Sequence, residues 1–380
     1  MNDNLAVSLL AKVTKWDDSR LSKELPKLSF MARTKYDAYS QFDPGFRFMS
    51  SFAQWMSQFD KEDVETIYSV FKDHLAFVSM QQIKYLVSLM YSSKIKPCIR
   101  GIAASKSGLE SYQLSKIENS HEYKIQQRLS LVVGLSDGSH IDILRRTANF
   151  SNEQVLPMYY PNQEKLRDVY EELKKDDLLK GSNRNLFESL FLVDDFTASG
   201  TSFARKEGDE FRGKIIKVLK GLKQKGVVSE GGKVDDDTKG IELSDLFVKD
   251  EIKVNVLFCV ATEEAIENIK REVRQYISEN ALTNLIRFNV DCVQLIKSEE
   301  TEGIKNYPFL KSIVEKEQYY DWKQILSPSY RKGKHDKPYW GFNECGLLLV
   351  LSHNTPNNTL PIIWEATKTF RGLFPRINRH

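Results

Sequence analysis

The chain has 380 residues, 41% of them hydrophobic and 28% charged, the balance of an ordinary globular protein rather than a disordered or fibrous one. That length buries about 70–75% of the unfolded surface and predicts two domains. Lys and Arg number 55 against 52 Asp and Glu, a net charge of +3, which excludes a strongly basic nucleic-acid coat and leaves room only for a local basic patch. The four cysteines, Cys98, Cys259, Cys292 and Cys345, are far apart and include no C-x-x-C pair, so neither a disulfide framework nor a zinc site is expected. The first residues carry no cationic leader or small-residue cleavage site. The longest apolar runs, 254–261 and 346–351, fall short of the roughly 18 residues of a membrane helix. A cytoplasmic protein that does not enter the membrane is expected.

Residues 1–95 read as a helical region. Phe48, Met49, Phe52, Trp55, Met56 and Phe59 recur at helical spacing behind Asp43-Pro44-Gly45, and a packed helical core explains such a stripe better than a partner-binding face does. From residue 95 the texture becomes short apolar runs alternating with helical stretches. Strands are expected at 95–104, 129–135, 155–160, 186–193, 252–261 and 285–295, and helices at 162–174, 201–223 and 262–279. This alternation is the signature of a parallel α/β sheet flanked by helices. A glycine-rich, charged stretch at about 223–249 interrupts it as a flexible insertion. Residues 298–380 are expected to form a cap and then a strand, 346–351, that returns to the core.

The chemistry is concentrated in Leu190–Ser202, LFLVDDFTASGTS. A buried strand delivers Asp194 and Asp195 at its carboxyl end, the edge where open α/β sheets bind ligands. Thr197, Ala198, Ser199, Gly200, Thr201 and Ser202 follow. Their low bulk lets backbone amides close around an anion, the hydroxyls add donors, and a helix beginning near Thr201 would add partial positive charge. A sugar phosphate fits this pattern, with the acids accepting from neighbouring ribose hydroxyls or holding Mg²⁺ through water. Competing patterns fit less well. A strand ending in two acids suggests a Walker B element, yet no G-x-x-x-x-G-K-[ST] loop exists. Phosphatases of the haloacid dehalogenase type need acids at i and i+2. A receiver domain wants its acids on an early strand. A plain strand-to-helix turn with solvated aspartates remains open.

These 13 residues resemble the phosphoribosyl pyrophosphate (PRPP) motif of type I phosphoribosyltransferases. The resemblance implies that fold, with Asp194 and Asp195 on the ribose hydroxyls, the turn at 197–202 on the 5′-phosphate, Mg²⁺ as cofactor through Asp194 or Asp195, and Ser136, Asp137, Gly138 and Ser139 as the pyrophosphate loop. Two departures stand out: Ala198 occupies the position of a third acid in purine-salvage members, and Asp137 brings negative charge to the pyrophosphate loop. YDAYSQFDPGFRFMSSFAQWMSQF (36–59), GLSDGSHIDILRR (134–146) and HNTPNNTLPIIW (353–364) are similar to the divergent phosphoribosyltransferase-like proteins of bacterial conflict systems. That likeness implies an anti-phage effector, retron operons among the settings, with a reverse transcriptase and its nucleic acid as partners. The alternative is a non-catalytic sensor or scaffold.

Lesser candidates remain. Asn354, Asn357 and Asn358 follow an apolar run and could read a base edge, although Asn also forms ordinary turns. Ser139 reads equally as a helix cap beside His140 and Asp142, and Arg145 and Arg146 as phosphate contacts or a surface pair. Lys94-Ile95-Lys96 and Tyr330-Arg331-Lys332 are weak nucleic-acid candidates. No Ser or Cys nucleophile accompanies His140 or His353, so a histidine triad has no support.

Overall fold

The structure, a computed structural model, describes residues 3–159, 161–181, 184–223, 241–320, 338–366 and 370–377. The chain divides into two compact units, one of residues 84–296 and one of residues 1–83 with 297–380. Nine strands run through the described residues: β1 (Ala76–Val78), β2 (Ser130–Gly134), β3 (Val155–Leu156), β4 (Ser189–Thr197), β5 (Arg205–Glu207), β6 (Glu210–Arg212), β7 (Ile252–Thr262), β8 (Ile286–Ile296) and β9 (Leu349–Leu351). Among the described residues no helix is long and apolar enough to cross a membrane.

The unit of residues 84–296 is the expected α/β fold. Its five-stranded sheet has the order β3-β2-β4-β7-β8 with every neighbouring pair parallel. Parallel strands covered on both faces must be apolar on both faces. Accordingly, Leu131, Val132, Val133, Leu190, Phe191, Leu192, Val254 and Val256 are all buried. Leu192 of β4 pairs with Val133 of β2 on one side and Val256 of β7 on the other. After β2 the chain steps outward to β3, then crosses back to place β4 on the opposite side of β2. Connections leave β2 and β4 in opposite directions, so a crevice opens beyond their carboxyl ends. The loop at 136–139 and the turn at 197–202 both lie there.

Three expectations in this unit are corrected. Residues 95–104 are helical, not a strand: a π-turn at Tyr91–Ile95 runs into the helix Lys96–Ser107. Ile95, Ile99 and Ala103 are its fully buried positions, an i, i+4 series that belongs to a helix. The strand at 155–160 shrinks to β3, which stops before Pro157. The helix at 201–223 begins only at Lys214 and runs to Leu222. The antiparallel hairpin β5–β6 precedes it, turning on Gly208-Asp209 with Gly208 at φ +60°, a two-residue loop of the kind hairpins favour. Most of the expected insertion, residues 224–240, lies outside the described residues, as does Tyr330-Arg331-Lys332.

The second unit buries the aromatic stripe as core. Phe48, Phe52, Trp55 and Phe71 pack with Tyr36 and Phe374, and the Trp55 indole donates to the Ile362 carbonyl at 2.9 Å. The terminal strand does not return to the large sheet. β9 pairs in parallel with β1, Val350 opposite Phe77, and Val350 is buried in the aromatic core of this unit. Residues 298–380 belong to the same compact unit as residues 1–83.

Candidate functional site

The site forms where β2 and β4 end. Side chains alternate along a strand, so neighbours Asp194 and Asp195 face opposite sides of the sheet. Asp194 lies opposite Phe258 on β7, and Phe258 packs edge-on to Phe203 with ring centroids 4.8 Å apart. Asp195 shares its strand position with Cys259, whose thiol is pushed up by burial first and then by the charges of Asp195 and Asp194, leaving it an unreactive space-filling thiol. Both aspartates are almost fully buried, at 2% and 8% exposure.

Asp194 has a complete set of donors. Ser136 Oγ and the Asp195 amide donate to its Oδ1, the latter at 3.1 Å, and Lys214 Nζ lies 3.1 Å from its Oδ2. The loop and the acid pair that sequence placed in one site are thus brought together, and Lys214 joins them. The loop also presses on Asp195. A Cβ on Gly138 would stand 2.6 Å from Asp195 Oδ2, so only glycine lets the backbone run this close. Ser139 does not cap the next helix; the residue before Ile141 is His140 at φ +45°, with no side-chain cap. Asp137 is exposed, and Arg146 pairs with exposed Asp142 at 3.5 Å.

The turn after β4 is braced from behind. Thr262, the N-cap of the helix Glu263–Glu279, accepts from the Ala265 amide at 3.0 Å and donates to the Ala198 carbonyl. Asn268 donates to the Ser199 carbonyl at 3.1 Å. Gly200 sits at φ +75°, and a Cβ there would meet the Ala265 carbonyl at 2.9 Å. It is buried against that helix, so Gly200 shapes the turn, while half-buried Thr201 and exposed Ser202 face outward. Ser199 Oγ and Thr201 Oγ1 are 3.0 Å apart. The amides of Gly200 and Ser202 donate to no acceptor among the described residues, and that of Thr201 reaches Ser199 Oγ only at 3.5 Å. Two of these three consecutive amides are uncommitted among the described residues and the third makes one long bond, so they are donors left to be satisfied. The expected helix dipole at Thr201 is absent, because the hairpin displaces the helix start to Lys214.

Burial, followed by the charge of Asp195, raises the Asp194 carboxyl above its ordinary range, against the opposing pull of Lys214 and Ser136. A native acid that holds its proton more tightly than the unfolded one loses stability as pH rises from the unfolded value, about 3.9, through the raised native value. Asp194→Asn removes that dependence. Urea midpoints of wild type relative to this variant are expected to fall between about pH 4 and about pH 7; parallel curves would contradict the raised acid.

The donor set of Asp194 does not fit a magnesium ion. Each of its oxygens already accepts from the protein. The asparagines are likewise committed in the other unit. Asn354 donates to the Ile377 carbonyl at 3.2 Å and Asn358 to the Phe342 carbonyl at 2.9 Å, while the Asn357 carbonyl accepts from the Phe342 amide at 2.8 Å. The side-chain amides of Asn354 and Asn358 fasten this loop.

Sequence reasoning missed Lys214, Thr262 and Asn268. Thr262 was legible as a cap, standing after an apolar strand and before Glu263-Glu264. Lys214 carried no signal until the hairpin before it was seen. A family model described as PRTase-CE matches residues 52–376. No curated protein and no solved structure gives a match.

Proposed function

The chain belongs to the PRTase-CE family and is phosphoribosyltransferase-like, and from that premise we propose that it binds PRPP or a nucleotide at the carboxyl ends of β2 and β4 and acts at the ribose anomeric carbon. The observation that carries this reading is the run of uncommitted amides at 200–202, immediately beyond the buried acid pair. A terminal phosphate accepts from several N–H groups at once and suits such a turn. In this reading Asp195, on the opposite sheet face from Asp194, accepts from a ribose hydroxyl, as the resemblance implies.

In the transfer, the bond from the anomeric carbon to its pyrophosphate oxygen breaks and the electron pair leaves with pyrophosphate. The lone pair of the acceptor closes on the same carbon through an oxocarbenium-like transition state, and the acceptor's proton passes to water. The residues described here contribute positioning and electrostatic stabilisation rather than a covalent intermediate. The acceptor is water, which would destroy nucleotides, or a macromolecule, which would be modified. The biological setting we assign is anti-phage defence in a retron-type operon, beside a reverse transcriptase and its nucleic acid.

One observation favours a second reading. Ala198, buried and apolar, stands where purine-salvage members carry a base, so the turn offers an acceptor no proton-accepting group. A phosphoribosyl sensor or scaffold subunit of a defence complex needs none.

Calorimetry with PRPP and nucleotides, paired with product analysis, separates the two. Saturable binding with turnover supports the enzyme, and binding alone supports the sensor. Asp195→Asn is expected to weaken binding by about tenfold or more, since a charge-assisted hydrogen bond is lost. Wild-type affinity in both Asp194→Asn and Asp195→Asn would remove the ribosyl reading. Plaque counts in cells carrying the operon test the defence role separately.

A further inference from the structure

Resting on the ribosyl-phosphate reading above, we propose that Lys214 is the resident cation of the site, taking on Asp194 the place that the resemblance gives to magnesium, so that a ribosyl phosphate binds without a divalent metal.

The argument begins with where Lys214 comes from. The hairpin β5–β6 replaces the first turns of the expected helix, and Gly213, at φ +123° and in close contact with the Phe203 carbonyl, swings the chain back toward the sheet. The helix then opens on Lys214, whose amide donates to the Ser202 carbonyl at 3.1 Å. Its ammonium lies 4.8 Å over the Phe203 ring and 3.1 Å from Asp194 Oδ2. One residue is therefore bonded through its backbone to the last member of the anion turn and through its side chain to the first acid. A lysine at the first position of a helix opposes the helix dipole, so helix formation does not explain it. The carboxylate does: an aspartate at 2% exposure is not left ionised without a cation beside it.

The same geometry closes Asp194 to metal. Magnesium requires near-octahedral oxygen donors at about 2.0–2.1 Å and is held by one or two carboxylates. Here Asp194 Oδ1 is met by Ser136 and the Asp195 amide and Oδ2 by the ammonium. Side-chain exposure is 26% at Lys214 against 2% at Asp194, so the lysine side chain is open to solvent where the carboxylate is not. Lys214 is thus a positioning residue. It holds Asp194 in place, offsets its charge, and lowers the repulsion that an incoming phosphate would meet.

The test uses the full chain and D-ribose 5-phosphate, which carries no pyrophosphate to recruit a metal of its own. Calorimetry is run with EDTA and with millimolar MgCl₂ on wild type, Lys214→Met and Lys214→Arg. Equal wild-type affinity in both buffers is expected. Lys214→Met should bind about tenfold more weakly in EDTA and regain affinity with magnesium, while Lys214→Arg should stay indifferent to the metal. A merely structural role would weaken both buffers alike. Wild-type binding that collapses in EDTA overturns the proposal, as does Lys214→Met binding like wild type in EDTA. The wild-type comparison stands even if Lys214→Met does not fold. Absence of wild-type binding in either buffer overturns the ribosyl reading itself, a result distinct from metal-dependent binding.

Discussion

Glu188→Ala is expected to lower the unfolding free energy by about 3 kcal/mol, the scale for removing one partner of a buried ion pair, with ribosyl-phosphate affinity unchanged. Glu188 lies just before β4 and is 8% exposed. Its carboxylate receives Lys106 at 2.6 Å, Arg184 at 2.9 Å and Gln126 at 3.2 Å. Arg184 also grips Glu122 at 2.7 Å. The helix His121–Arg128, the helix Lys96–Ser107 and the start of the central strand are therefore tied through one side chain. Alanine removes the acceptor at the centre of this network. Lys106 reaches water, but the Arg184 fork and the Gln126 amide lose a partner in a region that solvates them poorly.

The pH dependence of that loss has a definite sign. Burial by itself would raise the Glu188 carboxyl, but Lys106, Arg184 and Gln126 outweigh it and hold the group below its usual range. Its contribution is present above the unfolded value, about 4.3, and disappears as pH falls through the lowered native value. The gap between wild type and Glu188→Ala in denaturant midpoint should accordingly be full at neutrality and narrow in acid. Asp194, at the other end of β4, behaves oppositely. Six residues of strand, roughly 20 Å, separate Glu188 from Asp194. An affinity change in Glu188→Ala would mean that the sheet transmits disturbance along its length, and an undiminished midpoint would deny the network its role.

That contrast also marks how far the sequence could be read. The strands at 129–135, 186–193, 252–261 and 285–295 were legible because a parallel strand covered on both faces is apolar throughout. The acid pair was legible because it ends such a run. Ile95, Ile99 and Ala103 misled because a short apolar stretch carries too little length to separate period two from period four. Lys214 was hidden for a different reason. A lysine in an amphipathic stretch reads as solvated surface, and nothing local shows that Gly208-Asp209 folds a hairpin that turns it inward. Asn354 and Asn358 show the converse: polar side chains that look available in sequence bond backbone groups once the loop closes. Local pattern reports elements and their ends. It does not report which side chains meet across the β2–β4 crevice, and the cation of the site lies there.

Gly138→Ala should abolish most ribosyl-phosphate binding, by about a hundredfold, the scale for a reacting group displaced by about 1 Å, while the protein stays folded. The added Cβ would lie 2.6 Å from Asp195 Oδ2, 2.8 Å from Cγ and 3.0 Å from Oδ1, closer than real methyl contacts allow. Asp195 has a short side chain on the central strand, between Asp194 and Phe196, which both pair with β7, so its carboxylate cannot retreat far. The loop cannot lift freely either. Ser136 is bonded to Asp194, the Ser139 amide donates to the Ser136 carbonyl at 3.1 Å, and Gly134 leaves no spare room beside the Pro157 carbonyl. The strain must be shared between the carboxylate that would hold ribose and the loop that would hold pyrophosphate. Overpacking of this kind costs about 1–3 kcal/mol of stability, tolerable for a unit with so large a core. Gly208→Ala is the control: it forces a left-handed backbone, at φ +60°, which Gly138→Ala does not, but has nothing within 4 Å, so it should lose about 1 kcal/mol and no affinity. Wild-type binding by Gly138→Ala would mean that the closeness of this loop to Asp195 is irrelevant to the ligand, and the crevice between β2 and β4 would no longer be where ribose sits.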